Sequence, residues 1–155
     1  MKTNAKGFTL IELIIVIVIL GIIAVTASAR FIGVSSDARI ASLDTLQGSM
    51  RTASDLVNYK ARLENKTDCS TDPTIDMLGE TITLRCGYPC PHPSGITRAV
   101  VTDDSFRWIG GNCGGQLGAI EVQVRNAPDP STCKIRYTSA RQDRPPSFAA
   151  TTEGC

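Results

Sequence analysis

Gly7-Phe-Thr-Leu-Ile-Glu12, continued by Leu13-Ile-Ile-Val-Ile-Val-Ile-Leu-Gly-Ile-Ile-Ala-Val25, decides how this chain is read. Across the 22 residues from Phe8 to Ala29 the one charge is Glu12, and Leu13 to Val25 carries no polar side chain. A helix of about 20 apolar residues crosses the hydrocarbon core of a bilayer, so residues 8–29 are expected to form a membrane-spanning helix. Ahead of it stands Met1-Lys-Thr-Asn-Ala-Lys-Gly7, with two lysines and no acid. The positive-inside rule then places the N-terminus in the cytoplasm and the bulk of the chain outside it.

This order is not that of an ordinary secretory signal, in which a small-residue cleavage site follows the apolar stretch. Ala27-Ser-Ala29 is the one such site here, and a cut there would leave a chain beginning at Arg30. Glu12 also demands a reason. An acidic side chain at the centre of a membrane helix costs roughly 2.5–3.5 kcal/mol, so it is kept only where it has a partner or a task. Thr9-Leu-Ile-Glu12 fits the Ser/Thr-x-x-Glu capping box, in which the two side chains satisfy free backbone N–H groups at a helix start. Capping leaves room for a second role.

A short basic leader, Gly7-Phe-Thr-Leu-Ile-Glu12 and an apolar helix resemble the N-terminal signature of the type IV pilins and pseudopilins, the type IVa prepilins in particular. Through the continuation Ala24-Val-Thr-Ala27 and Arg30-Phe-Ile32 the chain is most similar to the mannose-sensitive haemagglutinin pilins. The resemblance implies that a prepilin peptidase cuts between Gly7 and Phe8 and N-methylates Phe8. It implies that Glu12 pairs with the new amine of a neighbouring subunit during assembly. It also implies partners: further copies of the chain in a filament, an inner-membrane assembly platform, an outer-membrane secretin, and a host or abiotic surface. The expected route is a single-pass precursor in a bacterial inner membrane, then an extracellular filament for adhesion and biofilm formation. Many type IVa pilins carry a proline near the end of the apolar segment, where this chain has Ala29, so no kink is expected there.

Beyond Arg30 the pattern turns amphipathic. Leu43, Leu46, Met50, Ala53 and Val57 recur at spacings of three and four, with Leu56 adjoining, and place a core stripe on a helix running to about Ala61. Gly33-Val-Ser-Ser-Asp37 is the expected join within it. Asn65 to Asp76, rich in Thr, Asp and Ser, reads as a loop. Strands are expected at 81–85, 97–102, 105–109, 120–125 and 133–138, with Thr102-Asp-Asp-Ser105 as a turn between two of them. The expected fold class is α+β: a long helix packed on an antiparallel sheet head. Its segments are a leader at 1–7, a filament-core helix at 8–29, an amphipathic half at 30–61 and a stapled head at 62–155.

The head is poor in aromatic residues and has six cysteines, Cys69, Cys86, Cys90, Cys113, Cys133 and Cys155, enough for three disulfides in an oxidising compartment. Six cysteines allow fifteen connectivities, and spacing does not choose among them. The resemblance implies a C-terminal disulfide-bonded region closed by Cys133 with Cys155; Cys69 with Cys86 and Cys90 with Cys113 are the simplest local choice for the others. A zinc site from Cys86, Cys90, His92 and Cys113 is the weaker alternative, since the ligand spacing matches no standard zinc motif, and His92 reads as an exposed loop residue.

No metal, cofactor or catalytic site is expected. Gly110-Gly-Asn-Cys-Gly-Gly115 lacks the lysine and following helix of a phosphate loop, and Asp103 and Asp104 have no further carboxylates near them for calcium. One histidine and no nucleophile set argue against an enzyme. A net charge of +1, falling to −1 without Lys2 and Lys6, gives no footprint for nucleic acid. Asn65-Lys-Thr67 is a glycosylation sequon only in hosts that use it, and Trp108 reads as core rather than as a sugar platform. The competing functional readings are a minor pilin or secretion pseudopilin, and a monomeric exported binding module released near Ala29.

Overall fold

The computed structural model describes residues 9–113 and 118–155, apart from the side chains of 27–32. Its architecture is α+β: helix α1 (Leu10–Leu63), then strands β1 (Thr74–Met77), β2 (Glu80–Arg85) and β3 (Tyr88–Pro89), helix α2 (Ile96–Ala99), and strands β4 (Phe106–Gly110), β5 (Ala119–Val124), β6 (Lys134–Thr138) and β7 (Ser147–Thr151). Contacts divide the chain into two units, one ending at Asp37 and the other running from Ala38 to Cys155.

From Leu10 onward the first unit is helical. From Leu10 to Val25 the large apolar side chains are between 45% and 77% exposed. The backbone stays helical through Gly33–Asp37, so the expected join is not a break in α1.

In the second unit α1 lays down the predicted stripe. Leu43, Leu46, Met50 and Val57 are buried and Ala53 partly so, and Ala61 extends the stripe by a turn. Leu56 is 53% exposed and does not join it. The helix ends in a Schellman motif. Lys66 N–H donates to the Ala61 carbonyl at 2.8 Å and Asn65 N–H to Arg62 at 3.2 Å, with Asn65 in the left-handed conformation at φ 54°.

The head holds two antiparallel sheets. The three-stranded sheet has order β1-β2-β3, and the four-stranded sheet is a meander, β4-β5-β6-β7. Leu78-Gly79 joins β1 to β2 and Cys86-Gly87 joins β2 to β3, and all four residues have positive φ. That is the signature of type I′ turns, whose twist matches the strands they connect. One face of the meander presents Ile120, Val122, Ile135 and Tyr137 to Leu43, Leu46 and Met50; Ile75, Ile82 and Leu84 form a second core with Val57 and Ala61.

Several expectations need correction. The strand at 97–102 is instead α2 followed by extended chain. Ile96, Ala99 and Val100 share a helical face, while Thr97, Ala99 and Val101 alternate, and the turn before them is fixed by Ile96 N–H donating to the Cys90 carbonyl at 2.9 Å. Thr102–Ser105 therefore links α2 to β4 rather than two strands; within it Ser105 N–H donates to the Asp103 carboxylate at 2.9 Å. The loop assigned to 65–76 contains the start of β1, and β7 went unread because Ser147-Phe-Ala-Ala-Thr151 has little β-propensity. His92 is half-buried rather than exposed, its Nδ1 2.8 Å from Ser94 Oγ.

Candidate functional site

At the start of α1 Thr9 and Glu12 form a reciprocal polar pair in an otherwise apolar stretch. Glu12 N–H donates to Thr9 Oγ1 at 3.4 Å; in return Thr9 N–H and its hydroxyl donate to Glu12 Oε2 at 3.3 and 3.2 Å. This is the reciprocal capping box, and it leaves the carboxylate exposed and without an ion pair among the described residues. The cleavage and methylation positions, Gly7 and Phe8, lie outside the described residues.

No helix among the described residues is long and apolar enough to cross a membrane. The expected span 8–29 runs beyond them at Phe8 and, for side chains, at Ala27 to Ala29.

The structure brings the cysteines together in three pairs: Cys69 with Cys86, Cys90 with Cys113, and Cys133 with Cys155. In this arrangement Cys86, Cys90 and Cys113 are no longer free to be ligands, and no group of three His, Cys, Asp or Glu among the described residues is placed to hold a metal ion. The Cys133–Cys155 bridge ties Cys155, four residues beyond β7, to the residue that precedes β6. Arg39 links α1 to the same cysteine by donating to the Cys155 carbonyl at 2.8 Å.

Around these staples short turns are pinned by carboxylates. Asp68 accepts from Ser70 N–H and Oγ, and Asp129 from Ser131 and Thr132; these bonds hold both acids below the usual carboxylate range. Tyr137 lies fully buried at the centre of the meander and donates to the Pro89 carbonyl at 2.6 Å, with burial pushing its hydroxyl well above the usual tyrosine range. Trp108 is half-buried against the core, and its Nε1 donates to Thr102 Oγ1 at 3.2 Å. Sequence reasoning missed Asn58, whose side chain accepts from Arg62 and donates to the Gly87 carbonyl at 3.0 Å, securing the β2–β3 turn against α1. It also missed Arg85 and Arg141, which share the wall of one cleft although 56 positions apart.

Comparison with known proteins bears on the N-terminal constellation. Residues 2–28 match the family model described as the prokaryotic N-terminal methylation motif. The chain is 43% identical over 59 residues to the type IV narrow pilus major component of Thermus thermophilus, a match covering 38% of this chain and 51% of that protein. It thus spans about half the length of the curated relative it matches. No solved structure matches. A glycine and phenylalanine ahead of a capped, exposed apolar helix thus coincide with a match to the prokaryotic N-terminal methylation motif over residues 2–28 and with similarity, over 59 residues, to a type IV pilus component.

Proposed function

We propose that this protein is a structural subunit of a type IV pilus, polymerising through its N-terminal helix into an extracellular filament used for surface adhesion and biofilm formation. The observation that carries the reading is one exposed carboxylate, Glu12, set in an apolar helical face that the chain's own core does not cover. An exposed apolar stretch of this size calls for a membrane or a protein partner. Cleavage between Gly7 and Phe8 supplies the missing charge. The Phe8 nitrogen is an uncharged amide in the precursor and becomes an amine with a reference pKa of about 7.7–8.0. In a filament core of packed helices an uncompensated carboxylate in every subunit opposes assembly, whereas one paired with a neighbour's amine sets the axial register of the incoming copy.

The partners that follow are a prepilin peptidase for cleavage and N-methylation of Phe8, the inner-membrane platform, the outer-membrane secretin, and other copies of the chain. The precursor sits in the inner membrane with its first residues in the cytoplasm, and the head folds where its cysteines oxidise.

The test is the intact mass, before and after reduction, of the protein in filaments sheared from its native host. The expected species begins at Phe8, is one methyl heavier than the bare chain and gains six protons on reduction. A processed form retained in the membrane and absent from the sheared fraction would assign it to the minor pilins or pseudopilins. A soluble species starting near Arg30 would overturn the pilin reading.

A further inference from the structure

A cleft of about 590 Å³ opens on the head between two covalently or hydrogen-bonded walls. One wall is the Cys69–Cys86 disulfide with Ser70, the other the turn from Ala140 to Asp143, and Arg85 lines the space with them. Its volume falls within the range of about 300–1,000 Å³ typical of small-molecule sites. Both walls are fixed before any ligand arrives. Cys86 is held by its disulfide, by the left-handed turn at φ 52° and by its N–H donating to the Asp68 carbonyl. The opposite turn is closed by reciprocal backbone bonds between Arg141 and Arg144.

The charges in the cleft are unequal. Arg85 is largely buried and uses one terminal nitrogen on Asp72 at 3.0 Å, and its other guanidinium N–H groups make no bond among the described residues. Arg141 is half-buried, and its guanidinium has no ion pair or hydrogen bond among the described residues. The lining carboxylate, Asp143, is exposed and lies 4.0 Å from Arg144.

We propose that this cleft binds a sugar bearing a carboxylate, with the guanidiniums of Arg141 and Arg85 taking the acid group and Gln142 and Asp143 facing the ring hydroxyls. Arginine forks match carboxylate geometry in a bidentate manner, and the Cys69–Cys86 disulfide gives the C–H face of a pyranose an apolar rest. The lining holds no aromatic side chain, so a neutral sugar lacks the stacking surface that would hold it, and charge selects the ligand. Repetition of the site along a filament rests on the function proposed above; the site itself does not.

The experiment uses the full chain in detergent micelles, titrated with tetragalacturonate, with maltotetraose as the neutral probe and inorganic phosphate as a competitor. Tetragalacturonate is expected to bind at least tenfold more tightly than maltotetraose. Arg141→Ala should lose at least tenfold, and Arg141→Lys should recover part of it. Arg107→Ala, on β4 outside the cleft, should change nothing. Equal binding of the two saccharides overturns the proposal, as does an Arg107→Ala loss matching that of Arg141→Ala. Displacement by equimolar phosphate also overturns it, because it would reveal a bare anion site. Assembly is scored separately in the sheared fraction, so failure of one reading is distinguishable from failure of the other.

Discussion

Glu12 and Tyr137 are two polar groups whose surroundings assign them opposite fates. Glu12 stands exposed with Thr9 as its partner, and its value lies in a charge that has yet to arrive. We expect Glu12→Ala to leave insertion and cleavage at Gly7 intact while filaments vanish from the sheared fraction; normal filaments from that variant would refute the pairing with the Phe8 amine. Tyr137 has its partner already, the Pro89 carbonyl. Tyr137→Phe should destabilise the head by about 1–3 kcal/mol in urea titrations, because a buried carbonyl loses its donor. With its hydroxyl raised above the ordinary range, Tyr137 keeps its proton in the fold at pH values where the unfolded chain releases it. Stability is therefore fully present below about pH 10, the reference value, and falls as pH rises above it; the Phe variant should lack that alkaline loss. Asp68 and Asp129 carry the opposite sign. Their pKa values are lowered in the fold, so their contribution is present above the ordinary carboxylate range and is lost as pH falls through it.

Elements were legible in the sequence where one physical signal spoke alone. Leu43, Leu46, Met50 and Val57 were read as one face, and they are buried. Ile120-Glu-Val-Gln-Val alternates, and β5 occupies 119–124. The errors fall where two signals overlapped or none was present. The stretch 96–101 offers a helical face at Ile96, Ala99 and Val100 and an alternating one at Thr97, Ala99 and Val101, and the decision belongs to Gly95, which lies so close to the Cys90 backbone that a Cβ would come within 2.1 Å of its carbonyl oxygen. That constraint comes from the tight path of the Cys90–Gly95 loop, which no periodicity announces. Gly95→Ala should accordingly force α2 off the loop at Cys90 and lower the thermal midpoint by several degrees, as a cost of about 1–3 kcal/mol implies for a domain of this size. An unchanged midpoint would show that the loop gives way freely. The turns at Leu78-Gly79 and Cys86-Gly87 were missed for a related reason: they lack the Asn-Gly or Asp-Gly pairs that announce a type I′ turn.

At the level of the whole molecule the match to an N-terminal methylation motif was readable, because Gly7 to Glu12 is a local signal. The cleft was not readable, since Ser70, Arg85 and Arg141 meet only after both sheets have formed. The cysteine pairs stood between these cases, with local spacing suggesting them and the fold joining them. Closing a loop the length of Cys133 to Cys155, with a sequence separation of 22, contributes about 3 kcal/mol in the chain-entropy account. The Cys133→Ala/Cys155→Ala double variant should unfold at a correspondingly lower urea concentration and become sensitive to proteases at β7. If its midpoint matched that of the parent, the bridge would be dispensable.

All three crosslinks lie beyond residue 68, whereas α1 ends at Leu63. Mechanical load pulling on the first residues of the chain therefore meets no covalent clamp until Cys69. What resists it over Ala38 to Leu63 is the grip of Leu43, Leu46, Met50 and Val57, with the bonds of Arg39 and Asn58. A helix stripped from its bed can lengthen from about 1.5 to about 3.4 Å per residue. Under tension this part of the chain yields as an extensible spring, while the crosslinked part from Cys69 onward keeps its shape.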